Sequence, residues 1–199
     1  MKTILFFDCE TTGLPLSWSA PVTDVDNWPR IVQLAWLVHD MEGNQIKEGN
    51  MIIKPEGFEI PIEATKVHGI TTQEALDGGE DLETVLVKFA SDLHYCSLLV
   101  AHNISFDRKI LGCEFYRKSI ENELEVVHKV CTMHKSTSYC ELPNLTGRGG
   151  YKWPKLQELH TKLFGKEFES AHDALADIKA TAKCYWKLKE LGVINPIIL

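Results

Sequence analysis

The sequence predicts an α/β protein built on a mixed β-sheet, and three observations support this prediction. Three strand-like segments come first along the chain, helix-like and strand-like segments then alternate, and two helix-like segments come last. The first group predicts an antiparallel half of the sheet, and the alternating group predicts a parallel half. The composition agrees, because 44% of the 199 residues are hydrophobic and 25% are charged, close to the average of globular proteins.

The predicted sheet has five strands. The first is a continuous apolar run of residues that favour β-structure, which is the pattern of a buried central strand. Glu42, Gly43 and Asn44 form a favourable turn between the second and third segments and predict a hairpin there. The strands are predicted at residues 3–7, 30–39, 45–54, 97–101 and 126–130.

The predicted helices lie between and after these strands. In the segment over residues 81–93, apolar residues recur every three or four positions, so that one helix face is apolar. The helices are predicted at residues 72–76, 81–93, 105–117, 156–164 and 171–191. Two long loops remain, at residues 14–29 and 140–154, and loops of this length in a compact domain are usually functional or mobile.

Length and composition limit the class of protein. A chain of 199 residues predicts one domain over residues 1–199. No segment approaches the roughly 18 consecutive apolar residues of a membrane helix, and the apolar N-terminal run is too short for a signal peptide. We therefore expect a cytoplasmic protein with no membrane partner. Six cysteines without a C-x-x-C pattern predict reduced thiols rather than disulfides or a zinc site.

The net charge of −7 bears on nucleic-acid partners. A protein that coats duplex DNA without specificity needs a basic surface, so the acidic balance argues against that class. It does not exclude nucleic acid as a ligand, because carboxylates that hold divalent metal ions count as negative while the loaded site does not.

The first predicted strand ends in the segment F-D-C-E-T-T-G-L, which contains Asp8 and Glu10. Side chains alternate along a strand, so both carboxylates project to one side and Cys9 to the other. Two neighbouring carboxylates at the end of a buried strand are costly unless a cation lies between them, and an oxygen-preferring divalent ion is the natural partner. The alternative is a pair of solvated residues at a strand end.

Further candidates occur where two later helices begin. Asp107 is predicted in the first turn of the helix over residues 105–117, where the helix dipole alone would also favour a carboxylate. His172, Asp173 and Asp177 open the last predicted helix. Asp173 and Asp177 would share one face of that helix, whereas His172 would lie about 140° around it from Asp177. A histidine at such a position is otherwise an ordinary surface residue.

Taken in order, these segments resemble the DEDDh (DnaQ-like) family of 3′→5′ exonucleases, the group that includes the proofreading epsilon subunit of bacterial DNA polymerase III. The resemblance covers residues 4–191 and rests on F-D-x-E-T-T-G, N-x-x-F-D and H-x-x-x-x-D, with V-H-G-I at residues 67–70. It implies a ribonuclease H-like fold with a mixed five-stranded sheet flanked by helices, in a single exonuclease domain.

The resemblance also implies a two-metal hydrolysis of phosphodiester bonds. Asp8, Glu10 and Asp177 would hold one ion, Asp8 would contact the second, and Asp107 would support the cluster. Mg²⁺ or Mn²⁺ suits such an oxygen-rich site. His172 would be the general base that takes the proton of the attacking water.

Residues around the terminal nucleotide follow from the same resemblance. The predicted substrate contacts are Thr11, Gly13, Leu14, Glu63, His68 and Phe106, with core packing as the alternative for Phe106. Loop residues that could contact the strand are Arg148, Tyr151, Lys152 and Trp153. Trp18 and Trp28 lie in the first long loop, and ordinary packing is an equally good interpretation of both.

The predicted function is a metal-dependent 3′→5′ exonuclease that releases nucleoside 5′-monophosphates from the 3′ end of nucleic acid, with single-stranded or frayed DNA favoured over RNA. One alternative is a 3′→5′ exoribonuclease. Another is a polymerase-associated, nucleic-acid-binding subunit with little activity, against which the full catalytic set argues. Because the chain ends soon after the last predicted helix, we expect no polymerase-tethering segment there, although a DNA polymerase stays a candidate partner.

Overall fold

The computed structural model describes residues 2–145 and 149–195. Its five-stranded sheet has the order β3-β2-β1-β4-β5. β1 pairs antiparallel with β2 and parallel with β4, β2 pairs antiparallel with β3, and β4 pairs parallel with β5. The predicted mixed sheet is thus confirmed. The strands are β1 (Ile4–Thr11), β2 (Ile31–His39), β3 (Gln45–Ile52), β4 (Leu98–Ala101) and β5 (His128–Cys131).

Seven helices lie among the described residues, and two of them were not predicted. The helices are α1 (Ile62–His68), α2 (Thr72–Gly78), α3 (Leu82–His94), α4 (Ile104–Arg117), α5 (Thr132–Cys140), α6 (Leu156–Phe164) and α7 (Ala174–Glu190). The unpredicted helices are α1 and α5. Neither has a capping side chain at its N-terminus, so the usual start signal is missing from the sequence.

β1 lies in the centre of the sheet and divides its side chains between two apolar layers. Leu5, Phe7 and Cys9 pack with α3 and α4, whereas Ile4 and Phe6 pack with α6 and α7. The strand continues to Thr11, four residues beyond the predicted end, because pairing with β2 persists past Phe7. The two acidic residues therefore belong to the strand itself.

The predicted hairpin between β2 and β3 is present. The Asp40 carboxylate accepts hydrogen bonds from the Glu42 and Asn44 backbone amides, at 3.0 and 2.8 Å, and so closes the turn. Gly43 has φ 96°, a conformation that favours glycine.

Two predicted starts are wrong by two or three residues. The fifth strand begins at His128 instead of 126, because the Val126 and Val127 amides both bond the Glu123 carbonyl in a turn. The last helix begins at Ala174 instead of 171. Asp173 is its N-cap, and its side chain accepts a hydrogen bond from the Ala176 amide.

Candidate active site

Asp8 and Glu10 lie at the carboxyl end of the central strand. By alternation they share the side of Ile4 and Phe6, which is the side covered by α7. Asp8 is half-buried and Glu10 is buried.

Asp107 reaches the same end of the sheet from α4. Asn103, with φ 65°, forms the N-cap of α4, and Asp107 lies in the first turn of that helix. Its Oδ1 atom accepts hydrogen bonds from the Cys9 amide (3.3 Å) and the Cys9 thiol (3.2 Å). The third carboxylate is therefore fixed to the residue that separates the first two.

Asp177 and His172 come from the start of α7. Glu10, His172 and Asp177 each offer a ligand atom, and these atoms all lie within 4.8 Å of one another. Contrary to the prediction, His172 is outside the helix: it is exposed and has φ 69°, before the Asp173 cap. The angle of about 140° predicted between His172 and Asp177 therefore does not apply.

One buried atom marks this cluster as incomplete. Asp177 Oδ1 is buried and has no hydrogen-bond partner among residues 2–145 and 149–195. A buried carboxylate oxygen without a donor or cation is unfavourable. An ion bound between Glu10 and Asp177 would remove that cost.

Gln33 supports the start of α7 and was missed by sequence reasoning. It lies opposite Glu10 in β2, and its Oε1 atom accepts a hydrogen bond from the Ala174 amide at 3.3 Å. Its amide nitrogen donates to Asn50 Oδ1 in β3 at 2.9 Å. The available signal was a glutamine within a strand whose residues are otherwise mostly apolar.

The pKa values of the carboxyl groups show that their negative charges repel one another strongly. Burial raises the pKa of Asp8 well above its usual range, and the charges of Asp107, Asp177 and Glu10 raise it further. Burial, followed by the charges of Asp177 and Asp107, raises the pKa of Glu10 to about 8. The site thus favours either protons or added positive charge.

The pKa shifts of the two carboxylates on the helices have burial as their main cause. Burial raises the pKa of Asp107, against the opposing effect of the Cys9 hydrogen bond. Burial raises the pKa of Asp177 to about 6, although the His172 side chain and backbone lower it. His172 is thus close enough to Asp177 to affect its charge.

The predicted contacts Thr11, Gly13 and Leu14 form the turn that leaves β1. The Thr11 hydroxyl donates to the Gly13 carbonyl at 2.8 Å. Gly13 has φ 151° and open space where a Cβ atom would lie, and Leu14 is exposed. This turn has free surface beside the acidic cluster.

His68 and Glu63 lie on α1 in different environments. His68 Nδ1 accepts a hydrogen bond from the Ile70 amide at 3.1 Å, while Nε2 is buried without a partner in the part of the chain that the structure describes. Burial lowers the pKa of His68, and the Thr11 backbone acts in the opposite direction, which places His68 beside the β1 turn. Glu63 is exposed in the first turn of α1, and among residues 2–145 and 149–195 it makes no hydrogen bond or ion pair with the acidic cluster.

The aromatic candidates separate into buried and exposed residues. Phe106 is half-buried against the core and contacts Trp18, with ring centroids 5.6 Å apart. Trp28 is buried and donates its indole N–H to the Pro21 carbonyl. Trp18 is half exposed.

The second long loop is described only in part, because Arg148 lies outside the described residues. Lys152 forms an ion pair with Glu158 at 2.5 Å. Trp153 is exposed and its ring lies 5.0 Å from that of His134. Tyr151 is also exposed.

A family model described as RNase_T, exonuclease, matches residues 5–185. The chain belongs to this exonuclease family. The resemblance to the DEDDh 3′→5′ exonucleases is therefore confirmed. The ribonuclease H-like fold is confirmed by the solved structure of an exonuclease I with the same mixed five-stranded sheet architecture.

Curated relatives and solved structures agree with this assignment. A PolC-type DNA polymerase III from Listeria welshimeri is 29% identical over an alignment of 202 positions, which covers 97% of this chain and 12% of the polymerase. E. coli exonuclease I in complex with a dA16 oligonucleotide matches with a TM-score of 0.74 and 25% identity, over 96% of this chain and 41% of that one. Exonuclease I from Methylocaldum szegediense, 23% identical with a TM-score of 0.75 over 96% of this chain and 41% of that one, shows the same fold.

The chain spans about an eighth of the length of the polymerase relatives and about two-fifths of the exonuclease I chains.

Among the described residues, no helix is both long and apolar enough to cross a membrane. All six cysteines are free thiols in the structure.

Proposed function

We propose that this exonuclease removes nucleoside 5′-monophosphates from the 3′ end of DNA, preferring single-stranded or frayed ends. The observation that carries the proposal is the meeting of Glu10, His172 and Asp177, with Asp8 and Asp107 raising the local negative charge. The oligonucleotide bound to the E. coli exonuclease I relative supports a DNA substrate.

We further propose that the site holds two divalent cations, Mg²⁺ or Mn²⁺. The donors are mostly carboxylate oxygens, which these ions prefer. Asp177 Oδ1, which has no hydrogen-bond partner in the described ranges 2–145 and 149–195, can serve as a ligand atom. Bound cations would neutralise charge on the scissile phosphate and promote ionisation of water. Asp8, Glu10 and Asp177 would hold them, with Asp107 supporting the cluster.

The protein's own residues would then divide the remaining work. His172, exposed and beside Asp177, would accept the proton of the attacking water and release it to solvent. Cys9 would keep the Asp107 carboxylate oriented through its amide and thiol. The turn of Thr11, Gly13 and Leu14 would contact the terminal nucleotide, with His68 and Phe106 nearby. Glu63, on the same helix as His68, would be a further contact.

The decisive experiment is a time course on oligonucleotides of one sequence, labelled at the 5′ end so that shortening from the 3′ end gives a ladder. Single-stranded DNA, duplex DNA and RNA are compared with Mg²⁺ or Mn²⁺, and Asp177→Asn protein purified in parallel is the control. We expect a ladder on single-stranded DNA with release of nucleoside 5′-monophosphates. A 3′-phosphate should block digestion, and cleavage of a circular single strand would contradict the proposal.

The same assay separates the alternatives. Faster digestion of RNA than of DNA would identify an exoribonuclease. Binding of oligonucleotides without cleavage would identify a binding subunit, and the PolC-type relatives make a DNA polymerase the partner to test in that case. A single exonuclease domain over residues 1–199 and a cytoplasmic location stay proposals from the sequence.

A further inference from the structure

The loop that follows β1 exposes three large apolar side chains in close succession. Leu14, Leu16 and Trp18 are 74%, 86% and 52% exposed. Single exposed apolar residues are common, but a group of them beside a polar cluster is typical of a binding surface. The loop begins directly after the strand that carries Asp8 and Glu10, so this surface borders the proposed catalytic site.

Trp18 is held in place from two sides. The buried Asn27 side chain accepts a hydrogen bond from the Ser17 amide at 2.6 Å and donates one to the Ser17 carbonyl at 3.0 Å. Lys109 of α4 donates to the Trp18 carbonyl at 2.5 Å. Such bonds fix the backbone on which the indole is mounted, which lowers the entropy cost of binding a ligand there.

The Trp18 ring packs against Phe106, the residue immediately before Asp107. Their ring centroids are 5.6 Å apart and their planes are inclined by 47°. The ring pair therefore begins one residue before Asp107 in α4, and about half of the Trp18 surface stays open. Trp28 in the same loop is only 3% exposed, so packing explains Trp28 but not the exposed half of Trp18.

We propose that Trp18, supported by Phe106, stacks against an unpaired nucleobase upstream of the terminal nucleotide. This inference rests on the proposed function, because it takes the substrate's 3′ end to lie in the acidic cluster. An unpaired base offers its π-face to an aromatic side chain, whereas a base within a duplex is already stacked. A protein with a net charge of −7 also gains little from broad contacts with phosphates, so stacking is a suitable source of affinity.

The test compares substrates with and without upstream bases. The p-nitrophenyl ester of thymidine 5′-monophosphate has one nucleoside, while oligothymidylate has an upstream strand. We expect Trp18→Ala to raise KM for oligothymidylate by roughly 5- to 150-fold, the range of one base–aromatic stack. Hydrolysis of the ester should be unchanged. Trp18→Phe should restore most of the affinity, and Tyr95→Ala, which removes an exposed aromatic ring after α3, should have no effect.

Abasic substitutions locate the contact. An oligonucleotide with one abasic residue at the contacted upstream position should bind parent and Trp18→Ala protein equally, because the partner of the indole is already missing. Equal KM values of parent and Trp18→Ala for intact oligothymidylate would overturn the inference. So would an equal loss on the nucleoside ester, which would indicate damage to the catalytic site.

A binding measurement separates this inference from the proposed function. Fluorescence anisotropy of a labelled oligonucleotide is measured in the Asp177→Asn background, with and without Trp18→Ala. Loss of affinity on removing Trp18 supports the stacking contact even if the parent lacks nuclease activity, which would refute only the proposed function. Parent nuclease activity with no effect of Trp18 in either assay would refute only the stacking contact, and a parent that neither binds nor cleaves would refute both.

Discussion

The thiol of Cys9 donates a hydrogen bond to Asp107 Oδ1 at 3.2 Å, and the Cys9 amide donates to the same oxygen at 3.3 Å. Cys9 lies between Asp8 and Glu10, so the strand that carries two of the acidic side chains also fixes the third. Burial raises the pKa of the Cys9 thiol, and the Asp107 and Asp8 charges raise it further. The thiol therefore keeps its proton and stays a donor.

Removing this donor should weaken metal binding. We expect Cys9→Ala to raise the Mn²⁺ concentration for half-maximal activity several-fold, because one of the bonds that orient the Asp107 carboxylate is lost. Cys9→Ser, which keeps a donor, should be affected less. Calorimetric titration of Mn²⁺ without substrate provides a second measurement of the same change.

Cys113 provides a matched control for the Cys9 variants. It is buried in the same apolar layer and on the same helix as Asp107, so Cys113→Ala removes the same atoms without touching the carboxylate. We expect its metal dependence to equal that of the parent. An equal shift in both alanine variants would show that packing, and not the hydrogen bond, causes the effect.

Asp177→Asn should abolish nuclease activity and stabilise the metal-free protein. The substitution keeps the size of the side chain but removes a buried charge whose Oδ1 atom has no described partner. We expect the free energy of unfolding at pH 8, without metal, to rise by about 1–3 kcal/mol. Chemical denaturation in EDTA measures this change.

Asp173→Asn is the control for that substitution. Asp173 is the N-cap of α7, and asparagine is an equally good cap, so the helix start should be preserved. Most of the activity should remain in this variant. Full activity of Asp177→Asn would refute the assignment of Asp177 as a metal ligand.

The stability of the metal-free protein should fall as the pH rises from 5 to 8. The pKa of Glu10 is raised to about 8 and that of Asp177 to about 6, so the folded state binds more protons than the unfolded chain in this range. Raising the pH therefore favours the unfolded state, and the free energy of unfolding should fall by a few kcal/mol in total. Adding Mg²⁺ or Mn²⁺ at pH 8 should restore the lost stability.

Glu10→Gln should flatten this pH dependence, because Glu10, whose pKa of about 8 lies above that of Asp177, no longer titrates. The measurement is a series of urea denaturation curves in EDTA for parent and variant. A parent curve that is flat between pH 5 and 8 would contradict the predicted proton uptake. The same slope in both proteins would assign the dependence to other groups.

Much of the fold could be predicted because its strands follow simple patterns. The apolar run before Asp8 identifies the central strand, and alternation places Asp8 and Glu10 on one side. α5 was missed for a physical reason. Its sequence, T-M-H-K-S-T-S-Y-C, contains few strong helix formers, and tertiary burial of Met133, Ser136 and Cys140 stabilises it instead.

The candidate site was predicted less completely, because contacts between distant residues leave little trace in a sequence. The Cys9–Asp107 bond joins residues 98 positions apart, and the Gln33–Ala174 bond joins residues 141 apart. The prediction that His172 lies within the last helix was wrong because of a local signal, not because of a distant contact. Its local sequence resembles a helix start, but the Asp173 cap excludes it from the helix.

His172 should act as a base and not as a structural residue. It is exposed, has a left-handed backbone with φ 69°, and lies beside Glu10 and Asp177, so little packing depends on its ring. We expect His172→Gln to lower kcat by roughly 10²- to 10⁴-fold, since glutamine keeps polarity but cannot take a proton. Mn²⁺ affinity and oligonucleotide affinity should be largely retained.

The control for His172 is His94→Gln, an exposed histidine at the end of α3 that contacts Glu123. It should show parental turnover. His172→Gln should also change the dependence of the rate on pH, because the group that takes the proton is gone. The free energy of unfolding of His172→Gly should exceed that of His172→Ala by about 1 kcal/mol, because glycine adopts positive φ without strain. If His172→Gln keeps parental turnover and the parental pH profile, the proton must go to another acceptor and His172 has no part in the chemical step.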